Sequence, residues 1–348
     1  MNGRDRIYLI PRHRIHTCSP TIPRRRAYRK GELQHQKPLA QTLSGMTQRY
    51  RSPGAFQMAL NARIKSVAMT TGTPAAQVRR QFLAQRFLAR VFADPAAPWV
   101  LTGGTGLLVR LAGARHSEDL DLLHTSSGTD AAAAIADLRA TITATEDLDP
   151  FRFTISVPTT LHGLTGGATV RVNAHLGTTA AGNFPVDLVV GRSTVGRIER
   201  IAPAPVLDLD GITPTPAIAL YPIANQVADK ISAMFYRYGP RRSPSTRFHD
   251  LVDLLFIVTR CTIPAADTHT ALASEFRRRQ MPAVAAISVP GDRWHDGYRR
   301  TARLAGLAAE CADLDTALAI VGTCLNPLLT GTRTTGTWSP ETATWHDD

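Results

Sequence analysis

The chain has 348 residues, 43% hydrophobic and 20% charged, with a formal net charge of +12. That composition excludes a disordered or fibrous protein and leaves length for one large domain or two ordinary ones. No apolar run approaches the roughly 20 residues of a membrane span, and the basic N-terminus lacks the apolar stretch of a secretory signal, so a cytoplasmic protein with no membrane partner is expected. Cys18, Cys261, Cys311 and Cys324 show no C-x-x-C spacing, which excludes a zinc knuckle and fits reduced thiols.

The charge is unevenly placed. Residues 1–45 carry eight arginines, Lys30 and Lys37 against Asp5 and Glu32, which accounts for +8 of the +12. This stretch is rich in Pro, Arg, His and Gln and has no helical or alternating period, so a disordered basic extension is expected. It reads either as a nucleic-acid-binding arm or as a solvated extension, including sequence translated ahead of a true start at Met46.

Two helices are expected over 53–70 and 74–93, the second opened by Thr73 and Pro74. Trp99 to Thr102 reads as a short buried strand running into Gly103-Gly104, followed by a helix from Thr105 to Leu111. Asp119 to Leu123 alternates charged and apolar residues as a half-buried strand does. A helix over 129–145 precedes strands at 151–157, 168–175 and 185–190. Beyond about residue 215 the pattern turns helical, over 222–238, 247–260, 265–280, 291–309 and 312–325. The expected organisation is α+β: a core over 46–215, a helical domain over 216–330 that contributes to the active site, and a loose tail over 331–348.

The chemistry is concentrated in three places. A Gly103-Gly104 pair between strand and helix lets backbone N–H groups approach a phosphate, although many such pairs are ordinary tight turns. Asp119 and Asp121 are two apart on a strand and present two carboxylates on one face. Such a pair is unfavourable without a cation, and hard oxygen ligands suit Mg²⁺ carrying substrate phosphates. Solvated aspartates on an exposed strand face are the alternative. Asp187 in Phe184-Pro-Val-Asp-Leu-Val-Val190 has the same apolar flanks and is either a third metal carboxylate or a solubilising edge residue.

Only four of the 40 basic residues are lysines, and Lys230 is the single one after Lys65. A compact ammonium that arginine cannot replace is one reading, and chance survival is the other. Asp250 and Asp253 share a helix face with Arg247 preceding, a pattern that capping and salt bridges also explain.

Together these residues resemble the nucleotidyltransferase toxins of the AbiEii/AbiGii type. The matching pieces are Gly103-Gly-Thr105 with Arg110, Arg115-His-Ser-Glu-Asp119-Leu-Asp121, Lys230-x-x-Ala233, and Arg247-Phe-His-Asp250-Leu-Val-Asp253-Leu. The resemblance implies a polymerase-β-like nucleotidyltransferase core with a helical C-terminal domain, using a nucleoside triphosphate and Mg²⁺. It further implies an RNA acceptor, with the tRNA acceptor end as the favoured target, and a cognate antitoxin. By motif position Asp119 and Asp121 are metal ligands. Lys230 faces the triphosphate, Asp250 is the acid of the last motif, and Gly103, Gly104, Thr105, Arg110, Ser117 and Arg247 bind substrate. Arg241, Arg242 and Arg277 to Arg279 either receive an RNA backbone or are solvated surface. Two positions depart from the family pattern: His249 stands where many members carry lysine, and Gly106 replaces a common alanine. Transfer to a protein or small molecule, and a non-catalytic RNA-binding regulator, are the rival functions.

Overall fold

The computed structural model describes residue 50 and residues 52–145, 148–156, 159–160 and 166–347; the expected basic extension over 1–45 lies outside them. Helix α1 spans Pro53–Thr71, its first turn capped by the Ser52 hydroxyl accepting from the Ala55 N–H and its end released by Gly72 in the left-handed region. Helix α2, Ala75–Val91, buries Phe82, Leu83, Phe87 and Leu88. Strand β1, Trp99–Thr102, is fully buried and runs straight into α3, Gly103–Arg110. Strand β2, Leu120–His124, follows, then α4, Ala131–Ala144.

A mixed sheet is completed by β3 (Phe151–Ile155), β4 (Thr159–Thr160), β5 (Gly167–Leu176), β6 (Thr179–Val189), β7 (Glu199–Ile201) and β8 (Ile218–Leu220). Its order is β3-β5-β6-β2-β1-β8-β7, with β4 beside β5. The pairings at its centre place the acidic residues. Strands β2 and β6 run parallel with Asp121 opposite Asp187, while β1 and β2 run antiparallel with Thr102 opposite Asp121. The core beneath this sheet is built from α1, α2 and α4, and Phe87 makes edge-on contacts with Phe153 and Phe184.

The helical half comprises α5 (Ile223–Phe235), α6 (Phe248–Arg260), α7 (Ala265–Arg278), α8 (Trp294–Leu304) and α9 (Leu314–Leu329) around a second apolar core. No helix among the described residues is long and apolar enough to cross a membrane. Cys261 and Cys324 are buried free thiols, whereas Cys311 is disulfide-bonded, which corrects the expectation of reduced thiols at that position.

The structure corrects two expectations. The sequence pattern places the helical half from residue 216, but Ile218–Leu220 is a strand parallel to β1, and the Tyr221 N–H donates to the Leu101 carbonyl. Three apolar residues are enough to satisfy a sheet edge yet too few to show a period. The composition of 331–348 suggests a loose tail, but Thr337–Ser339 and Thr344–His346 form β10 and β11, and β10 lies between β11 and β9 (Ile263–Pro264), pairing with both. The reason is Trp338: it is 3% exposed, its indole N–H donates to the Val258 carbonyl at 2.7 Å, and Trp345 packs edge-on against it. Burying the Trp338 indole, with the partly buried Trp345 against it, offsets the poor strand propensity of the flanking Gly336.

Trp338→Ala should therefore destabilise the protein by about 3–5 kcal/mol in urea unfolding, the usual cost of emptying an aromatic site. A change below about 0.5 kcal/mol would show the C-terminal strands to be dispensable.

Candidate active site

A cleft of about 710 Å³ opens between the sheet and the helical half. Its floor is set by β1 and β2. Gly103 takes φ +63°, and a Cβ there would lie 1.9 Å from Asp121 Oδ2, so only glycine lets the chain turn into α3 beneath that carboxylate. Gly104 is tight against Ser117, where a Cβ would come within 3.0 Å. No side chain caps the start of α3, so its first N–H groups remain available to an anion. Gly106, one of the two departures from the family pattern, also has a local cause: a Cβ would approach the Leu101 carbonyl oxygen to 2.9 Å.

The acidic residues gather on this floor. Asp119, Asp121 and Asp187 all line the cleft. Withdrawal from water, then Asp187 and Asp119, push the Asp121 carboxyl up to about 6, against the pull of Lys230 and Arg247. Asp119 is raised by burial and then by Asp187 and Glu118. Thr169 donates to Asp187 Oδ1 at 2.7 Å and fixes that carboxylate. Among the described residues no three acidic, imidazole or thiol groups already stand at metal-ligand spacing. The repulsion nevertheless fits a divalent cation: the Asp187 charge helps to raise both Asp121 and Asp119, and a cation among the carboxylates would reverse that effect.

Facing them is a buried charge network on the helical half. Lys230, on α5, donates to Asp253 Oδ2 at 2.5 Å and lies 3.7 Å from Asp250 Oδ1. Arg115 forms a two-pronged pair with Asp253, at 2.8 Å for both Nε and Nη2, and so ties the segment leading into β2 to α6. Arg247 Nε donates to Asp250 Oδ2 at 2.6 Å. Burial would raise Asp250, but Lys230, Arg247 and His249 outweigh it and hold the carboxyl below the usual range. Burial lowers the His249 pKa, helped by Arg115 and Arg247 and opposed by Asp250.

A second network lies along the same wall. Arg192 forms a two-pronged pair with Asp229 and reaches Glu275 at 3.1 Å, and Arg278 and Arg279 also bind Glu275. Burial opposes ionisation of Glu275, yet the hydrogen bond from Arg278 and the Arg192 charge bring it down to about 2.

Of the site residues expected from sequence, Gly103, Gly104, Ser117, Asp119, Asp121, Asp187, Lys230, Arg247 and Asp250 line the cleft. Two do not. Thr105 turns its hydroxyl to the Asp119 carbonyl at 2.9 Å and so positions the acidic segment. Arg110 ends α3, pairing with Glu199 at 2.5 Å and the carbonyl of the cleft residue Tyr221 at 3.1 Å. Arg278 and Arg279 are likewise spent on Glu275. Arg115 and Asp253 belong to the motifs quoted from the sequence but carry no site assignment there, since their contact joins positions far apart in the chain. Arg192 and Asp229 carry no sequence signal.

The profile of the family "Nucleotidyl transferase AbiEii toxin, Type IV TA system" matches residues 86–319, more than half of the chain. The chain belongs to this family of nucleotidyltransferase toxins. No curated protein matches the sequence. Among solved structures it is similar to MenT4, a nucleotidyltransferase toxin of Mycobacterium tuberculosis, with 17% identity, 77% of this chain and 89% of the other covered, and a TM-score of 0.48. It is also similar to JHP933 of Helicobacter pylori, with 14% identity, 73% and 94% covered, and a TM-score of 0.38.

The raised Asp121 carboxyl gives a stability prediction with a definite sign. A group raised in the folded state contributes fully below its unfolded value of 3.8 and loses that contribution as pH climbs through about 6. In divalent-free buffer, Asp121→Asn should match the parent near pH 4 and exceed it by about 1–2 kcal/mol at pH 8, after discounting for partial solvent screening. Equal stability at pH 8 would mean that Asp121 bears no repulsive load.

Proposed function

We propose that this protein transfers a nucleoside monophosphate from a nucleoside triphosphate to an RNA hydroxyl, at the acceptor end of tRNA, and so blocks translation in the cytoplasm until a cognate antitoxin restrains it. The observation that carries this reading is the juxtaposition of Asp121 and Asp187 with Lys230 across one cleft. Anions that need a cation stand opposite a cation able to meet phosphate.

The open start of α3 at Gly103 and Gly104 receives the triphosphate, where N–H groups and the helix dipole favour negative charge. Asp119, Asp121 and Asp187 would hold Mg²⁺, which would supply positive charge against the phosphates and lower the pKa of the acceptor hydroxyl. Lys230 is already oriented by Asp253, so its remaining N–H donors can meet charge building on departing pyrophosphate without reorganisation. Arg115 keeps the acidic segment and α6 in fixed relation, and Thr105 holds the backbone at Asp119. The acceptor hydroxyl gives up its proton to water as its oxygen attacks the α-phosphorus in line, and the bond to the bridging oxygen breaks so that pyrophosphate leaves on the opposite side.

Incubation with each radiolabelled nucleoside triphosphate, Mg²⁺ and total RNA should label a tRNA-sized band. Asp121→Ala should reduce that labelling at least ~100-fold while the protein remains folded. Labelling of protein or small molecules instead of RNA would overturn the acceptor, and wild-type turnover by Asp121→Ala would overturn the metal-assisted scheme.

A further inference from the structure

The fold sorts the arginines around the cleft into two groups. Arg115, Arg192, Arg278 and Arg279 are bound to carboxylates within the protein. Among the described residues Arg241, Arg242, Arg300 and Arg303 are exposed, and no ion pair engages them. The first pair lies on the loop between α5 and α6, which runs from the cleft residue Tyr238 to the cleft residue Arg247; the second lies on the last turns of α8, whose Thr301, Leu304 and Ala305 form the cleft rim.

These two sets are held on one rigid piece. The Trp294 indole N–H of α8 donates to the Ser245 carbonyl of the loop at 2.7 Å, and Phe248 packs edge-on against Trp294 with ring centroids 5.2 Å apart. Gly297 makes this fit possible, because a Cβ there would lie 2.2 Å from the Phe248 ring. The rim also exposes apolar surface: Leu304, 86% exposed, lines both the cleft and the adjoining hollow that holds Arg300 and Arg303, and Tyr238, 37% exposed, lines the cleft on the loop that carries Arg241 and Arg242. Unpaired guanidinium groups flanking apolar side chains suit a single-stranded nucleic acid, whose phosphates meet the charges and whose bases cover the apolar surface. An acidic polypeptide would match the charge but leave that surface without a partner.

We infer that α8 and the 238–247 loop form one docking track for the RNA substrate, with Arg300 and Arg303 on one bank and Arg241 and Arg242 on the other, leading a single-stranded end into the cleft. The track rests on the RNA-transfer reading and adds to it the surface by which RNA is held. The arginines bind phosphodiester oxygens and take no part in the chemistry.

The test is equilibrium binding of a fluorescein-labelled stem–loop RNA with a single-stranded 3′ end, followed by anisotropy over a range of salt concentrations without nucleoside triphosphate. Arg300→Ala/Arg303→Ala should weaken binding at least ~tenfold at about 0.1 M salt and reduce the slope of log affinity against log salt by about 1.4, at roughly 0.7 per single-strand contact. The control Arg63→Ala/Arg139→Ala removes the same charge from exposed sites on α1 and α4, and should retain parental affinity. Both variants should melt with the parent. The inference is overturned if the α8 variant binds like the parent, if the control loses as much, or if polyglutamate of equal charge displaces the RNA as well as unlabelled RNA does. Normal RNA binding lost in the α8 variant, with no RNA labelling by the parent enzyme, would remove the transfer reading and leave the docking track standing.

Discussion

Asp121 and Asp187 are held side by side by the register of two parallel strands, and neither backbone can move without breaking the sheet. Their repulsion is a standing cost in the metal-free protein. Much of the surrounding sequence bears on it. Gly103 has no side chain because the Asp121 carboxylate occupies that space, and Thr169 pins Asp187. Lys230 and Arg247, on the helical half, supply the positive field that keeps Asp121 from rising further. A site that is unfavourable alone and favourable with a cation and polyphosphate is prepared for binding, because ligand arrival removes the penalty.

The same logic explains why the helical half is part of the site. Asp253 is fully buried and would be prohibitive as a lone charge. It is tolerated because Arg115 reaches it from the β2 side and Lys230 from α5, so one carboxylate joins both halves. Asp250 plays a related part with Arg247 at the cleft edge. Fixing Lys230 in this way also answers how a flexible side chain can present an ammonium at a defined point: its orientation is settled before substrate enters. The Arg192, Asp229 and Glu275 network stiffens the same wall, and by consuming Arg278 and Arg279 it leaves substrate contacts to other arginines.

The site is legible in the sequence where its chemistry is local. Gly103-Gly104, Asp119-x-Asp121 and Arg247-x-x-Asp250 are short-range patterns whose geometry follows from strand and helix periods. Lys230 stands out because lysine is so scarce in this chain. Long-range matters are hidden. The register that sets Asp187 against Asp121 is a property of the sheet, and the Arg115 to Asp253 bond spans 138 positions. Nothing local in the motif says that α3 carries Arg110 to Glu199, 89 positions further on. Strands β7 and β8 have three residues each and no readable period, and β10 depends on Trp338 finding Val258.

Whether the paired carboxylates are strained until a cation arrives can be observed directly by carbon-13 NMR of carboxyl-labelled aspartate. With the Asp121 resonance assigned by its loss in Asp121→Asn, a pH titration without divalent ions should show it protonating near about 6. Adding Mg²⁺ and a non-hydrolysable nucleoside triphosphate should move that midpoint below the ordinary carboxylate range. An Asp121 that titrates at an ordinary aspartate value of about 4 and ignores Mg²⁺ would contradict a strained, cation-seeking pair.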